Sequence, residues 1–130
     1  MDAASIVLKI EKGLINCGQQ YGVDTEMVRF RLMFIETDKL RCYLYEGFKP
    51  FATNGKPTTI DIKKAFNISM LENLFVEPYL KKKLKELAIK NNIDESNVSV
   101  FIFKKSDTII VNLLDGNKTL KEISINEFLK

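Results

Sequence analysis

The C-terminal third of the chain constrains the fold most, because it combines strand-forming runs with turns too short for a crossover connection. Residues 98–103 are β-branched and aromatic, and residues 108–114 repeat that character. Asp115-Gly116 then marks a tight hairpin turn before a third run at 119–123. Strands joined by such short connections pair antiparallel. This segment therefore predicts a three-stranded antiparallel meander.

A second hairpin is predicted from residues 26–36 and 39–46, which alternate apolar and polar side chains around a turn at Thr37-Asp38. Its register depends on the number of residues in the loop, because a slip of one residue moves a side chain to the other face. An even-numbered loop places Tyr43 and Tyr45 beside the apolar side chains of the first strand. An odd-numbered loop gathers five side chains on one face: Arg29, Arg31, Arg41, Tyr43 and Tyr45.

Helices are predicted in three parts of the chain. Residues 3–21 carry a core-facing apolar stripe, for which Asp2 is the expected N-cap. Residues 60–92 are also helical in pattern, and Pro78 is expected to divide them into a short helix at 70–76 and a longer one at 78–92, because proline lacks an amide hydrogen. A capping-box pattern after the meander predicts a short final helix.

Residues 47–59 form the least regular part of the chain, with prolines on both sides of Asn54-Gly55. That pair favours a type I′ turn between two short edge segments, and a mobile loop is the alternative. We find no linker or repeat, so residues 1–130 are expected to form a single domain. The fold class is α+β in two layers, with helices packed on an antiparallel sheet. The predicted order is α–β–β–(loop)–α–β–β–β–α.

The chain contains no histidine and only two cysteines, which removes the usual histidine-based catalytic sites and zinc sites. We expect no cofactor, no metal site and no catalytic residues. Three central acids, Asp61, Glu72 and Glu77, have no spacing that assembles an acid–base pair. A non-enzyme is therefore the prediction, although an enzyme that works without histidine stays open.

The location expected from the sequence is cytoplasmic. Neither a signal peptide nor a run of about 20 apolar residues is visible, so no membrane partner is expected. The two isolated cysteines suit a reducing compartment as buried side chains. A composition rich in Lys, Ile and Asn is typical of AT-rich genomes, which suggests a phage-encoded protein acting in the host cytoplasm.

The function predicted from these features is non-enzymatic protein binding, as a small regulator, adaptor or inhibitor whose partner the sequence does not identify. Leu8 and Ile15 form a second apolar seam opposite the core stripe of the first helix, and Phe48 and Phe51 lie in the irregular segment. A structural homodimer through the Leu8–Ile15 seam is one alternative.

The other alternative is nucleic-acid binding. The net charge of +3 comes from an excess of lysine in residues 51–93, which is too small to require a nucleic-acid partner. Arginines interleaved with tyrosines on one face could nevertheless hold phosphates and stack on bases. The residues predicted for this role are Arg29, Arg31, Arg41, Tyr43 and Tyr45 of the hairpin, with Lys81, Lys82 and Lys85 of the helix.

Overall fold

The computed structural model describes residues 3–130, so the N-cap predicted at Asp2 lies outside the described residues. Within that range, four helices and nine strands follow one another in an order that agrees with the predicted α+β class. The elements are α1 (Ala3–Tyr21), β1 (Val28–Glu36), β2 (Lys39–Glu46), β3 (Lys49–Pro50), β4 (Ala52–Thr53), β5 (Lys56–Pro57), β6 (Thr59–Ile60), α2 (Ile62–Ala65), α3 (Met70–Lys90), β7 (Val98–Lys105), β8 (Thr108–Asp115), β9 (Lys118–Ser124) and α4 (Ile125–Phe128), with a 3-10 turn at Thr25–Met27.

The main sheet joins the two predicted antiparallel units side by side. Its strand order is β3-β2-β1-β7-β8-β9, and β6 pairs with β2 beyond that path. The hairpin β1–β2 meets the meander β7–β8–β9 along an antiparallel β1–β7 pairing. The turns specify the hairpin and the meander locally. The pairing of β1 with β7 then joins the two units into one sheet.

The segment between β2 and α2 forms short strands. Ala52 pairs with Pro57 and Thr53 with Lys56 across the predicted Asn54-Gly55 turn. Asn54 and Gly55 both have positive φ angles, of 54° and 77°, as a type I′ turn requires. This hairpin is therefore present as expected.

The core lies between the helices and one side of the sheet, which we call the inner face. Alternate strand residues such as Phe30, Leu32, Leu44 and Ile102 point to this side and are fully buried. The helices add their own apolar stripes, and both cysteines lie in the same core. The helical residues that are buried there include Ile6, Ile10, Leu14 and Cys17 of α1 and Val76, Leu80, Leu84 and Ala88 of α3.

The prediction that Pro78 divides the third helix is wrong, because α3 runs without interruption from Met70 to Lys90. A proline in a helix removes one backbone hydrogen bond and crowds the preceding turn. Here the buried stripe continues on both sides of the proline, with Val76 before it and Leu80 after it. A capping box at Ser69 and Glu72 also stabilises the first turn. Packing and capping thus outweigh the local preference.

The helical layer is closed by contacts from α3 to the last residues of the chain. The Tyr79 hydroxyl donates a hydrogen bond to the carbonyl oxygen of Leu129 and also lies 3.1 Å from the carbonyl oxygen of Lys130. In α4, the Phe128 side chain joins the core.

Among the helices of residues 3–130, none has the length and apolar character needed to cross a membrane.

Candidate functional site

The side of the sheet away from the helices, the outer face, carries the predicted arginine and tyrosine set. Arg29 pairs with Tyr45, Arg31 with Tyr43, and Met33 with Arg41 across the first hairpin. Directly paired residues point to the same side of an antiparallel pair. All five predicted side chains therefore share this face, which is the register that the sequence left open.

A β-bulge produces that register. Phe34 pairs with Leu40, whereas Glu36 pairs with Lys39, so Ile35 is an additional residue on β1. The turn itself contains only Thr37 and Asp38 and keeps the favourable Glu36–Lys39 pairing. The sequence reasoning missed the bulge because it counted only loop residues, and the extra residue lies inside the strand.

Arg31 is enclosed within the outer face. Its side chain is 7% exposed, and its guanidinium donates four hydrogen bonds. The acceptors are all uncharged oxygens: Ser99 Oγ at 3.1 Å, Tyr45 Oη at 2.9 Å, Asn117 Oδ1 at 3.3 Å and the Gly116 carbonyl at 2.7 Å. The bonds to Asn117 and Gly116 tie β1 to the β8–β9 turn. Most of the Arg31 donors are therefore occupied within the protein.

Arg29 is half-buried and held between aromatic rings. Its guanidinium carbon lies 4.3 Å from the centre of the Phe48 ring and 3.8 Å from that of Phe103. Its Nε and Nη1 atoms are buried and have no hydrogen-bond partner among the described residues. Burial also lowers the pKa of this guanidinium.

The magnitudes show that Arg29 is incompletely stabilised. A cation–π contact contributes about 0.5–2 kcal/mol per ring. A buried donor without a partner costs about 1–3 kcal/mol, and more when the group is charged. The cost of two such nitrogens is therefore of the same size as the contribution of the aromatic rings near Arg29. Arg29 therefore has an unmet demand for a hydrogen-bond acceptor.

The rest of the outer face is largely closed by its own packing. Phe101 and Phe103 are buried, with Leu114, in a small cluster separate from the core, and Tyr45 packs edge-on against Phe101 at 4.8 Å. Tyr43 is half-buried and Arg41 is exposed. Of the outer-face aromatic side chains, only Phe48 is strongly exposed, at 70%. A broad platform of bare rings, typical of single-strand binding, is thus not formed by these residues.

The lysines predicted for nucleic-acid contact lie on the solvent side of α3. Lys82 is exposed and Lys81 is half-buried. Lys85 forms an ion pair with Asp38 in the β1–β2 turn, which lowers the pKa of the Asp38 carboxyl and raises that of Lys85. Lys85 therefore links α3 to the hairpin. Lys81 and Lys82 form no ion pair among the described residues.

The four residues predicted for protein contact are placed differently from one another. Leu8 and Phe48 are exposed, at 69% and 70%. Ile15 is half-buried, so the apolar seam on α1 is open only at Leu8. Phe51 is half-buried against the core and meets the Tyr21 ring edge-on at 5.6 Å. The structure thus separates two accessible side chains, Leu8 and Phe48, from two that are half-buried.

Within residues 3–130, the largest group of neighbouring exposed apolar side chains was not predicted from the sequence. Met70, Leu71, Leu74 and Phe75 in the first two turns of α3 are 72%, 73%, 65% and 77% exposed, and we call them the α3 apolar patch. At about 100° per residue they lie on the half of the helix opposite Val76. Extending the Val76–Leu80–Leu84 stripe backwards along one helix would have revealed them, but the expected break at Pro78 concealed that continuity.

Two of the central acids have structural partners. Asp61 caps α2 by accepting a hydrogen bond from the Lys63 amide, which lowers the pKa of its carboxyl. Glu72 accepts from the Ser69 amide and pairs with Lys9 of α1 at 3.3 Å, and the capping hydrogen bond is the main cause of its lowered pKa. These carboxylates therefore stabilise helix termini.

Comparison with known proteins gives no relative. No protein-family model, no curated protein and no solved structure matches this chain.

Proposed function

We propose that this protein is a non-enzymatic binding module whose principal contact surface is the α3 apolar patch. The observation that supports this proposal is the exposure of four large apolar side chains, each at least 65% accessible, within six consecutive residues. Single exposed apolar residues are ordinary, whereas a contiguous group is typical of contact sites. The proposed function is the one predicted from the sequence, but the main contact residues are those of the α3 apolar patch instead of Leu8 and Ile15.

The patch is suited to act as an anchor because its backbone is rigid. The capping box fixes the first turn, and the Lys9–Glu72 ion pair ties that turn to α1. Apolar anchors on a preorganised element lose little conformational freedom when a partner binds. Leu74 and Phe75 are the side chains expected to contribute most, because they lie one turn inside the helix.

The chemistry of the partner follows from the charge beyond the patch. The solvent side of α3 changes from apolar in its first two turns to basic at Lys81, Lys82 and Lys85. Lys81 and Lys82 form no ion pair within residues 3–130. Complementary charge favours association and fixes orientation. We therefore propose a protein partner whose contact segment carries apolar side chains followed by acidic ones.

The test is affinity capture from the native cell with the wild-type protein and two charge variants. Leu74→Glu with Phe75→Glu should abolish capture of the partner. Ile89→Glu is the matched control, because Ile89 is 83% exposed on the same helix but lies beyond the patch. The captured protein must then bind the purified wild-type chain directly, with an affinity that Lys81→Glu with Lys82→Glu reduces. Equal direct binding by wild type and the patch variant contradicts the proposal.

Two other outcomes correspond to the alternative functions. Binding that disappears after nuclease treatment and falls steeply with salt would support nucleic-acid contact through the lysines, Arg29 and Arg41. Self-association that Leu8→Glu abolishes would support the homodimer through α1. A role as a regulator or inhibitor, a phage origin and a cytoplasmic location stay part of the proposal, with the two buried free cysteines in keeping with a reducing compartment.

A further inference from the structure

We infer that Arg29 forms the floor of a binding site for a small organic oxyanion, a carboxylate or a phosphate attached to a planar apolar body. The site lies on the outer face of the sheet and is independent of the α3 apolar patch. It is supported by a cavity, by two guanidinium groups without a carboxylate partner and by an exposed aromatic ring that covers one of them.

The cavity beside Arg29 has a volume of about 470 Å³, within the range of small-molecule sites. Phe48 and Phe103 form aromatic walls, and Lys104, Lys105 and Asn112 lie at its border with two acids, Glu26 and Glu122. The Glu122 carboxylate is 3.8 Å from Lys105 Nζ, so part of its charge is already compensated. Arg29 and Lys104 are the cations of the cavity outside the ion pairs of residues 3–130, and Glu26 is the acid outside them.

The charge on this face is not balanced internally. Among the ion pairs of residues 3–130, none includes an arginine. Arg29 and Arg31 are two residues apart on the same strand, and both guanidinium carbons lie within 6 Å of the Phe101 ring centre, at 5.8 Å and 5.4 Å. Arg31 is satisfied by neutral oxygens, whereas Arg29 Nε and Nη1 have no acceptor. An arginine with two unused donors beside a second cation favours an anion, and a guanidinium matches the geometry of carboxylate and phosphate.

Phe48 explains why the ligand should have a planar body. Its ring lies over the Arg29 guanidinium but is 70% exposed, so little packing holds it there. It follows Gly47, which has a positive φ of 59° in the turn after β2. When the ring moves away, Arg29 donors become accessible and a flat group can stack in its place. Phe103, which is buried with its ring centre 3.8 Å from the same guanidinium carbon, supplies the fixed wall.

The experiment is an NMR titration that follows the Arg29 Nε–Hε resonance and the Lys104 and Asn112 amides. The probes are benzoate and phenyl phosphate, which distinguish carboxylate from phosphate recognition. Inorganic phosphate tests whether the planar body is needed, and benzyl alcohol tests whether the charge is needed. We expect saturable shifts with a dissociation constant of about 1 mM or tighter for at least one organic anion, and weaker binding of inorganic phosphate and benzyl alcohol.

Variants assign the binding to this site. Arg29→Gln should abolish the shifts at Lys104 and Asn112, and Arg41→Gln should retain them, because Arg41 is exposed outside the cavity. Arg29→Lys, which keeps the charge, should weaken binding about tenfold because the planar fork is lost; this variant serves if Arg29→Gln does not fold. The inference is overturned if neither organic anion binds, if benzyl alcohol or inorganic phosphate binds as tightly, or if binding survives in both Arg29 variants.

Discussion

The backbone carbonyl oxygen of Ala65 lies 1.6 Å from the position that a Cβ atom would occupy on Gly13. The helices α1 and α2 therefore meet backbone to backbone, with no space for a side chain on Gly13. A backbone atom cannot rotate away as a flexible side chain would.

We expect Gly13→Ala to lower the free energy of unfolding by about 3 kcal/mol, because α2 must move away from α1. Chemical denaturation followed by circular dichroism measures the change. Lys12→Ala on the exposed side of the same helix is the control, and it should stay within about 0.5 kcal/mol of wild type. Equal stability of Gly13→Ala and wild type would show that the two helices are not this close.

Phe75 and Val76 are adjacent in sequence but opposite in their contribution to stability. Phe75 is 77% exposed, whereas Val76 is 4% exposed in the core. Phe75→Ala should change the free energy of unfolding by less than about 0.5 kcal/mol, whereas Val76→Ala should lower it by about 2 kcal/mol. Denaturant titration of both variants checks this difference, and a larger loss for Phe75→Ala would mean that the α3 apolar patch is packed within the protein.

Arg31 and Arg41 look equivalent in sequence, and the structure gives them different roles. Arg31→Ala should lower the free energy of unfolding by about 2 kcal/mol, because it removes four hydrogen bonds and leaves buried acceptors such as Ser99 Oγ without a donor. Arg41→Ala should have little effect, since Arg41 is exposed and forms no ion pair among the described residues. Thermal and denaturant unfolding of the two variants should rank them in this order; the reverse order contradicts the network around Arg31.

The buried thiols predict a loss of stability at alkaline pH. Burial raises the pKa of both Cys17 and Cys42 above the ordinary thiol pKa of about 8.5. Above that pH the unfolded chain releases thiol protons that the folded chain retains, so the free energy of unfolding falls as pH rises. The slope is at most about 1.4 kcal/mol per pH unit for each thiol, and the contribution is constant at neutral pH.

Denaturant unfolding at several pH values between about 7 and 10 measures this slope. That pH range includes the ordinary thiol pKa. Tyrosine and lysine also titrate at the alkaline end, so Cys42→Ala is compared with wild type at each pH. The variant should be less stable at neutral pH and should lose less stability with rising pH. Parallel curves would indicate that Cys42 ionises as readily in the folded protein as in the unfolded chain.

Local signals predicted much of the fold. The turns at Asp115-Gly116 and Asn54-Gly55 and the alternation of residues 28–36 act within a few residues, so they are visible without tertiary structure. The continuity of α3 through Pro78 was not visible, because it depends on packing of Val76 and Leu80 against a sheet formed by distant residues. Propensity describes the isolated helix, whereas burial decides the folded one.

The functional surfaces were less predictable than the fold. The sequence showed that Arg29 and Arg31 alternate with apolar residues, but their roles depend on partners far along the chain, Phe103 for one and Gly116 for the other. The exposure of Met70 and Leu71 likewise depends on which side of α3 faces the sheet. Side-chain type is local information, whereas occupancy of its hydrogen bonds is a property of the whole fold.

The additional residue at Ile35 gives the first hairpin one position at which its length can change. Without Ile35, Phe34 and Glu36 would be neighbours on β1, as Leu40 and Lys39 are on β2, so the pairs Phe34–Leu40 and Glu36–Lys39 would form a regular ladder. Leu40, Cys42 and Leu44 would keep their places in the core, and Arg41 and Tyr43 would stay on the outer face. Many side chains should therefore be accepted at position 35, and a single-codon deletion there should leave a folded protein that lacks the bulge.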